Sequence, residues 1–518
     1  MQLWCLANPD IQGASRHHDC KIDKGRAVNV GKETGMTVRE LAKLPTGLFV
    51  DGGWRPSIGE QVLPVEDPST GRELVSVASA TPTDALHAVD AAERAAGAWA
   101  ACAPRERSEI LRRAFDLMLE RSAELAVVIS GESGKALAES RAEVRYAAEF
   151  LRWYAEEAVR VLGEVGTAPS GTNRMLVTRH PVGIAVFVTP WNFPAAMVTR
   201  KLAPALAAGC TSVLKPAPET PLTALVLADL LAEAGVPAGV VNVLPTADAA
   251  GVVETLLADR RVRALSFTGS TAVGRLLLAK AARNVLRCSM ELGGNAPFIV
   301  LEDADLSLAV DNALIAKLRN GGQSCTAANR FLVHERVADE FARRLADRMS
   351  GTVMGSGTDP GVELGPLISA AARAKVAELV EDALARGARC LTGGRTPDGA
   401  GYFYPPTVLV DVPPDARIVR EEVFGPVAPI VRFKTADEAV RVANDTDFGL
   451  VSYLHTRDLG RALAVTEQLE AGMVGVNRGM VSDPAAPFGG WKHSGLGREG
   501  GRDGILEYLE TKYTAIEW

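Results

Sequence analysis

Apolar residues recur three and four apart through residues 85–101 and 105–130, with charged residues between them. That spacing predicts helices as far as about residue 160. The rhythm changes at Gly183. A short apolar run over 184–188 precedes a helical stretch over 195–208, and 211–214 precedes another over 222–234. The runs 240–244 and 264–267 repeat the theme, each followed by a helical stretch. Short β-branched runs alternating with helices predict an α/β protein with a parallel sheet and helices on both faces. A second alternating block extends from Ala296 to about Gly479. Residues 174–180 and 508–518 read as strands outside both blocks. Such isolated strands complete a small sheet, here at a possible subunit contact, because the terminal edge strand needs a partner.

Composition narrows the class. A chain of 518 residues is too long for one core and predicts two or three domains. Acidic residues outnumber basic ones, 63 to 56, and no long basic run exists, which argues against nucleic acid as a partner. No apolar run approaches membrane-spanning length. The seven cysteines (Cys5, Cys20, Cys102, Cys210, Cys288, Cys325 and Cys390) show neither pairing nor metal spacing. An odd, dispersed set points to a reducing cytoplasm. Residues 1–36 are polar and read as a disordered extension, with Met36 as an alternative start.

Four segments carry candidate chemistry. Thr189-Pro190-Trp191-Asn192-Phe193-Pro194 follows a predicted strand, so Asn192 falls at the usual ligand crevice of an open α/β sheet. Alone, it reads as a turn. Phe267-Thr268-Gly269-Ser270-Thr271-Ala272-Val273-Gly274 joins a strand to a helix, where a phosphate or a plain turn fits equally. Met290-Glu291-Leu292-Gly293-Gly294-Asn295 offers a carboxylate beside glycines, either a general base or a surface acid. Arg319-Asn320-Gly321-Gly322-Gln323-Ser324-Cys325-Thr326 surrounds a thiol with amides and glycines rather than the apolar neighbours of a core cysteine. Together they supply a nucleophile (Cys325), a base (Glu291), an amide donor (Asn192) and a phosphate turn.

In order and spacing these segments, with Glu421-Glu422-Val423-Phe424-Gly425-Pro426, resemble the aldehyde dehydrogenase superfamily from about residue 47 to 518. The resemblance implies a Rossmann-like cofactor domain (37–165 and 182–293), an α/β catalytic domain (294–488) and a small β oligomerisation domain (166–181 and 489–518). It implies attack by the Cys325 thiolate on an aldehyde, with the alkoxide held by the Asn192 amide and the Cys325 N–H. Hydride passes to a nicotinamide, and Glu291 activates water against the resulting thioester. A glutamate at 291 favours a free acid product over an acyl-CoA. Thr189, Trp191, Lys215, Pro218, Gly269, Ser270, Glu422 and Phe424 are the implied cofactor residues. Lys215 resembles an adenosine-ribose contact and Glu422 a nicotinamide-ribose contact. Lys201 and Glu499 are an implied proton relay.

Thr199-Arg200-Lys201, Leu318-Arg319-Asn320 and the run from Ser494 to Gly500 resemble the succinate-semialdehyde dehydrogenase branch. That implies that Arg200, Arg319 and Ser482 bind the distal carboxylate of an ω-carboxy aldehyde. Internal salt bridges are the alternative for either arginine. Glutarate semialdehyde and 2-oxoglutarate semialdehyde fit the same clamp. A non-catalytic relative and a cofactor-free thioesterase are disfavoured by the intact Cys325, Glu291 and Asn192 and by the Gly269–Gly274 turn. Two departures stand out. Ala327 occupies the position where many members of the branch carry a second cysteine, so no disulfide switch is expected. Pro218, followed by Glu219, occupies the position where NAD-preferring relatives place an acid, which tilts the cofactor expectation to NADP or dual use with NAD. A cytoplasmic homodimer or homotetramer completes the expectation. Asp483, beside Ser482, would repel an anionic substrate if it faced the site.

Overall fold

The structure, a computed structural model, describes residues 38–517. The expected extension over 1–36, the start at Met36, Cys5 and Cys20 lie outside these residues. The helical region divides into Pro82–Ala101, Pro104–Glu120, Ser122–Ser133 and Leu137–Glu157. The expected single stretch over 105–130 breaks at Arg121, whose guanidinium turns back onto Glu124 at 2.9 Å. Thr81 and Asp84 form a reciprocal capping box that starts the first helix. Two antiparallel pairs not anticipated from the pattern precede these helices, Leu48–Val50 with Gly53–Arg55 and Val62–Asp67 with Arg72–Ala78.

Two open sheets organise the rest. In the first, Val241–Val243, Thr211–Lys215, Ile184–Val188, Val262–Thr268 and Arg287–Glu291 are parallel neighbours in that spatial order. Leu48–Val50 and Gly495–Leu496 flank them antiparallel. Ala185 and Phe187 pack in one apolar cluster while Ile184, Val186 and Val188 pack in another. Alternate side chains of one strand thus reach two buried layers, which is why the run lacks polar alternation. The chain runs outward from Ile184–Val188 in one direction and from Val262–Thr268 in the other. The strand order therefore reverses between these two, and the crevice outside their carboxyl ends is the preferred ligand position.

The second sheet orders Arg389–Thr392, Thr407–Val410, Val427–Phe433, Ala328–His334, Ala296–Val300, Val451–His455 and Met473–Val476. All adjacent pairs are parallel except the first. The two outlying strands pair with each other: Leu509–Ile516 runs antiparallel to Arg174–Pro181, and Glu164–Thr167 completes this third sheet. Val165 and Tyr513 remain exposed on it.

Candidate active site

The loop after Ile184–Val188 carries Asn192 into the crevice. Its backbone carbonyl accepts hydrogen bonds from Lys135 Nζ and Asn320 Nδ2, both at 2.9 Å. Its side-chain Nδ2 donates to Gln323 O at 3.0 Å. Since an amide nitrogen carries two N–H groups, one is left for another acceptor. Lys135 is itself paired with Glu143, whose carboxylate accepts from the N–H groups of Ala195 and Ala196 at the start of the helix Pro194–Ala208. Glu143 thereby places a negative charge at a helix N-terminus.

The Cys325 loop follows the helix Leu306–Leu318. Asn320, Gly321 and Gly322 turn the chain through left-handed φ of 52°, 64° and 76°. Asparagine and glycine adopt that region at low steric cost. Asn320 N–H donates to Glu139 at 2.8 Å, and Tyr453 Oη donates to the Thr326 carbonyl at 2.8 Å. A Cβ on Gly294 would stand 2.5 Å from the Cys325 carbonyl, so this glycine permits the close approach of the Glu291 segment. Burial pushes the Cys325 thiol up to about 12. Glu422 and Glu291 add to that rise, while Arg200 and Arg319 oppose it.

Glu291 ends its strand, opposite Thr268 in register. It is buried, and neither carboxylate oxygen has a hydrogen-bond partner. Burial first, and the charge of Glu499 second, hold it well above the ordinary carboxylate range. Lys201, Arg200 and Arg498 pull the other way. Lys201 Nζ donates to Ser266 Oγ at 2.8 Å and to Glu499 Oε1 at 2.5 Å. The candidate base and both relay residues thus share one buried electrostatic group.

The three candidate carboxylate binders are in different situations. Arg200 is buried, donates through Nη2 to Tyr146 Oη and lies 3.7 Å from Glu499 through Nη1. These are the internal contacts that the sequence left as its alternative. Arg319 has no ion pair among the described residues; its guanidinium lies 4.6 Å from the Phe193 ring centre and 5.7 Å from that of Tyr146. Arg319 and Ser482 line one cavity of about 700 Å³, to which Arg200 does not contribute. Asp483 is exposed, and its carboxylate accepts from Ala485 N–H at 2.9 Å.

The cofactor candidates gather around the strand ends. Thr189 N–H donates to Lys215 O at 3.2 Å. Trp191 meets Phe424 edge to face at 5.5 Å. Burial lowers the Lys215 amine to about 8, opposed by Glu219, the acid that follows Pro218. Gly269 precedes Ser270, whose hydroxyl caps the helix Thr271–Ala281. Val273 and Leu276 on that helix stay exposed, an apolar flank beside the cap. Glu422 Oε1 accepts from Gly294 N–H at 3.0 Å, and burial raises its carboxyl to about 7. Thr268 Oγ1 and Lys317 Nζ are buried without partners. Orphaned polar groups at the ends of a strand and a helix fit a site shaped for a polar ligand.

Sequence reasoning did not single out Lys135, Glu139, Glu143, Tyr146 or Tyr453. Lys135 carried the only local signal, following Gly134, which ends the helix Ser122–Ser133 in the left-handed region. The others sit within ordinary helix or strand patterns.

A thiol and an amide donor on loops, with a buried carboxylate at a strand end, come together in an α/β protein of two open sheets, an arrangement that fits an enzyme. The chain belongs to the aldehyde dehydrogenase family, whose pattern matches residues 54–514. It is 56% identical over 443 residues to a succinate-semialdehyde dehydrogenase of Paenarthrobacter nicotinovorans, covering 86% of this chain and 98% of that protein. It is 49% identical to the NADP(+) succinate-semialdehyde dehydrogenase of Escherichia coli, covering 90% and 97%. A glutarate-semialdehyde dehydrogenase of Pseudomonas aeruginosa is 48% identical, with 93% and 99% covered. The crystal structure of an E. coli NADP-dependent enzyme superposes with a TM-score of 0.91 at 48% identity, covering 92% of this chain and 98% of that one.

Proposed function

We propose that this chain oxidises succinate semialdehyde to succinate with NADP or NAD. The observation that carries the reading is the unpaired Arg319 guanidinium on a cavity of about 700 Å³, at the start of the loop that also carries Cys325. The names of the relatives support the same substrate class and cofactor.

The Cys325 thiol gives its proton to solvent water, and Sγ bonds to the aldehyde carbon as the C=O π pair moves onto oxygen. The oxygen that gains charge is held by the free Asn192 N–H and by the Cys325 N–H. Lys215, Ser270, Gly269 and Glu422 would hold the dinucleotide, with Thr189, Trp191, Pro218 and Phe424 around it. When bound, that dinucleotide would supply the acceptor for hydride leaving the carbon attached to Sγ. Glu291 then takes a proton from water, and the water oxygen displaces Sγ from the thioester. Glu499 and Lys201 carry that proton onward. Arg319, with Ser482 and Arg200, orients the distal carboxylate.

A longer ω-carboxy aldehyde is the second reading, favoured by the similarity to a glutarate-semialdehyde dehydrogenase. The antiparallel sheet of Glu164–Thr167, Arg174–Pro181 and Leu509–Ile516, with Val165, Tyr513 and Ile516 exposed, suits assembly into a homodimer or homotetramer. Among the described residues no helix is long and apolar enough to cross a membrane, and a cytoplasmic location fits the free cysteines. Catalytic efficiency over a chain-length series of semialdehydes, each with NAD and NADP, tests the reading. A maximum at succinate semialdehyde is expected; equal efficiency with neutral aldehydes overturns it.

A further inference from the structure

Tyr146 is the residue that both candidate arginines touch. The guanidinium carbons of Arg200 and Arg319 each lie 5.7 Å from its ring centre. Its oxygen accepts from Arg200 Nη2. The ring is braced edge to face on Phe150 at 5.1 Å, and it lines the cavity that holds Arg319 and Ser482. Two guanidiniums in one largely buried region repel each other, and aromatic faces offset part of that cost while leaving N–H edges available. Phe193 supplies the other face for Arg319, and Phe488, at 4.2 Å, a face for Arg200. Because the Tyr146 oxygen accepts from Arg200, its own O–H remains a donor. No acceptor for it exists among the described residues.

We propose that Tyr146 is a specificity-determining residue that fixes the two arginines relative to each other and offers its hydroxyl to the anionic tail of the substrate. The inference rests on the ω-carboxy aldehyde reading above and adds a residue to it. Arg200 is held from both ends, by Tyr146 and Glu499, so it acts chiefly as the electrostatic backing of the tail site. Arg319 and the Tyr146 hydroxyl then make the direct contacts. A neutral aldehyde makes neither contact and gains nothing from Tyr146.

Steady-state kinetics on succinate semialdehyde and on butanal, which lacks the carboxylate, test this in the wild type, Tyr146→Phe and Tyr146→Leu. Tyr146→Phe keeps the ring and is expected to raise KM for succinate semialdehyde about tenfold, the effect of one hydrogen bond to a charged group. Its loss on butanal, confined to the hydrogen bond taken from Arg200, is expected to be much smaller. Tyr146→Leu removes the ring as well and loses more on the acidic substrate. Inhibition by succinate, which needs no chemistry, weakens in parallel. Equal losses on both aldehydes, or a Tyr146→Phe enzyme that keeps the full preference, overturn the inference while leaving the substrate reading intact. A wild type with no preference for the acidic aldehyde overturns the substrate reading and this inference with it.

Discussion

Lys201 Nζ lies 2.5 Å from Glu499 Oε1, joining a helix at the crevice to a loop 298 residues further along the chain. Both residues are buried, and both act on the charge of Glu291 in opposite senses. Glu499 makes ionisation of the candidate base harder, and Lys201 makes it easier. They adjust in opposite directions a carboxyl that burial has already raised.

A base functions once ionised, so activity rises as pH increases through its pKa. Glu499→Gln removes a like charge and is expected to move the acid limb of the kcat profile to lower pH. Lys201→Met removes a favourable charge and is expected to move it to higher pH. Each variant also leaves a buried partner uncompensated, at a cost of about 3–5 kcal/mol in stability. Profiles measured below the melting temperature of each variant decide the matter: shifts of the same sign would sink the assignment.

The thiol of Cys325, raised to about 12, is protonated in neutral solution. Alkylation by iodoacetamide in the absence of cofactor should therefore accelerate about tenfold per pH unit between neutrality and pH ~9. Glu422→Gln removes a charge that raises the thiol and should speed the reaction. Arg319→Ala removes one that lowers it and should slow it. A rate independent of pH across that interval contradicts the assignment.

Arg319 and Arg200 should separate on neutral substrates. Arg319→Ala is expected to cost about 2–5 kcal/mol in kcat/KM on succinate semialdehyde, as for one partner of a buried charge pair. Its loss on butanal should be much smaller, confined to the rise it causes in the Cys325 thiol, since Arg319 holds no internal ion pair. Arg200→Met strips Glu499 and Tyr146 of a partner, so both aldehydes should lose activity. Parallel losses in Arg319→Ala would remove the carboxylate clamp.

Gly294→Ala places a methyl 2.5 Å from the Cys325 carbonyl, a backbone atom that must move. A loss of about 1–3 kcal/mol in stability is expected, with a fall in kcat larger than the shift in melting temperature implies. Gly97→Ala, in a helix interior with open space around it, is the control and should stabilise by about 0.4–1 kcal/mol. Thermal melts of both variants test the contrast.

Much of the fold was legible because both large sheets are parallel and covered on two faces. Such strands are continuous apolar runs, and the helices between them keep their own period. The antiparallel pairs near the start were not legible. Three residues such as Leu48–Val50 are too short to establish a period. The break at Arg121 was hidden for a related reason: the helical pattern continues across it, and only the backbone of that one residue, at φ −90° and ψ 15°, leaves the helix.

Cys325, Glu291 and Asn192 stood out because each lies among glycines, amides or prolines that no helix or strand pattern explains. That contrast is local, so the sequence by itself determined the two-block α/β architecture, the candidate reactive groups and the superfamily. Contacts between distant segments are not local. Only the tertiary structure decided that Arg200 turns inward to Glu499 and Tyr146, that Arg319 stays unpaired on a cavity, and that Asp483 is exposed and bonded to the Ala485 N–H. It also decided that Lys135 and Asn320 hold the Asn192 carbonyl. Burial and neighbouring charge set the ionisation of Cys325, Glu291 and Glu422, and both depend on packing that brings residues hundreds of positions apart within a few ångströms.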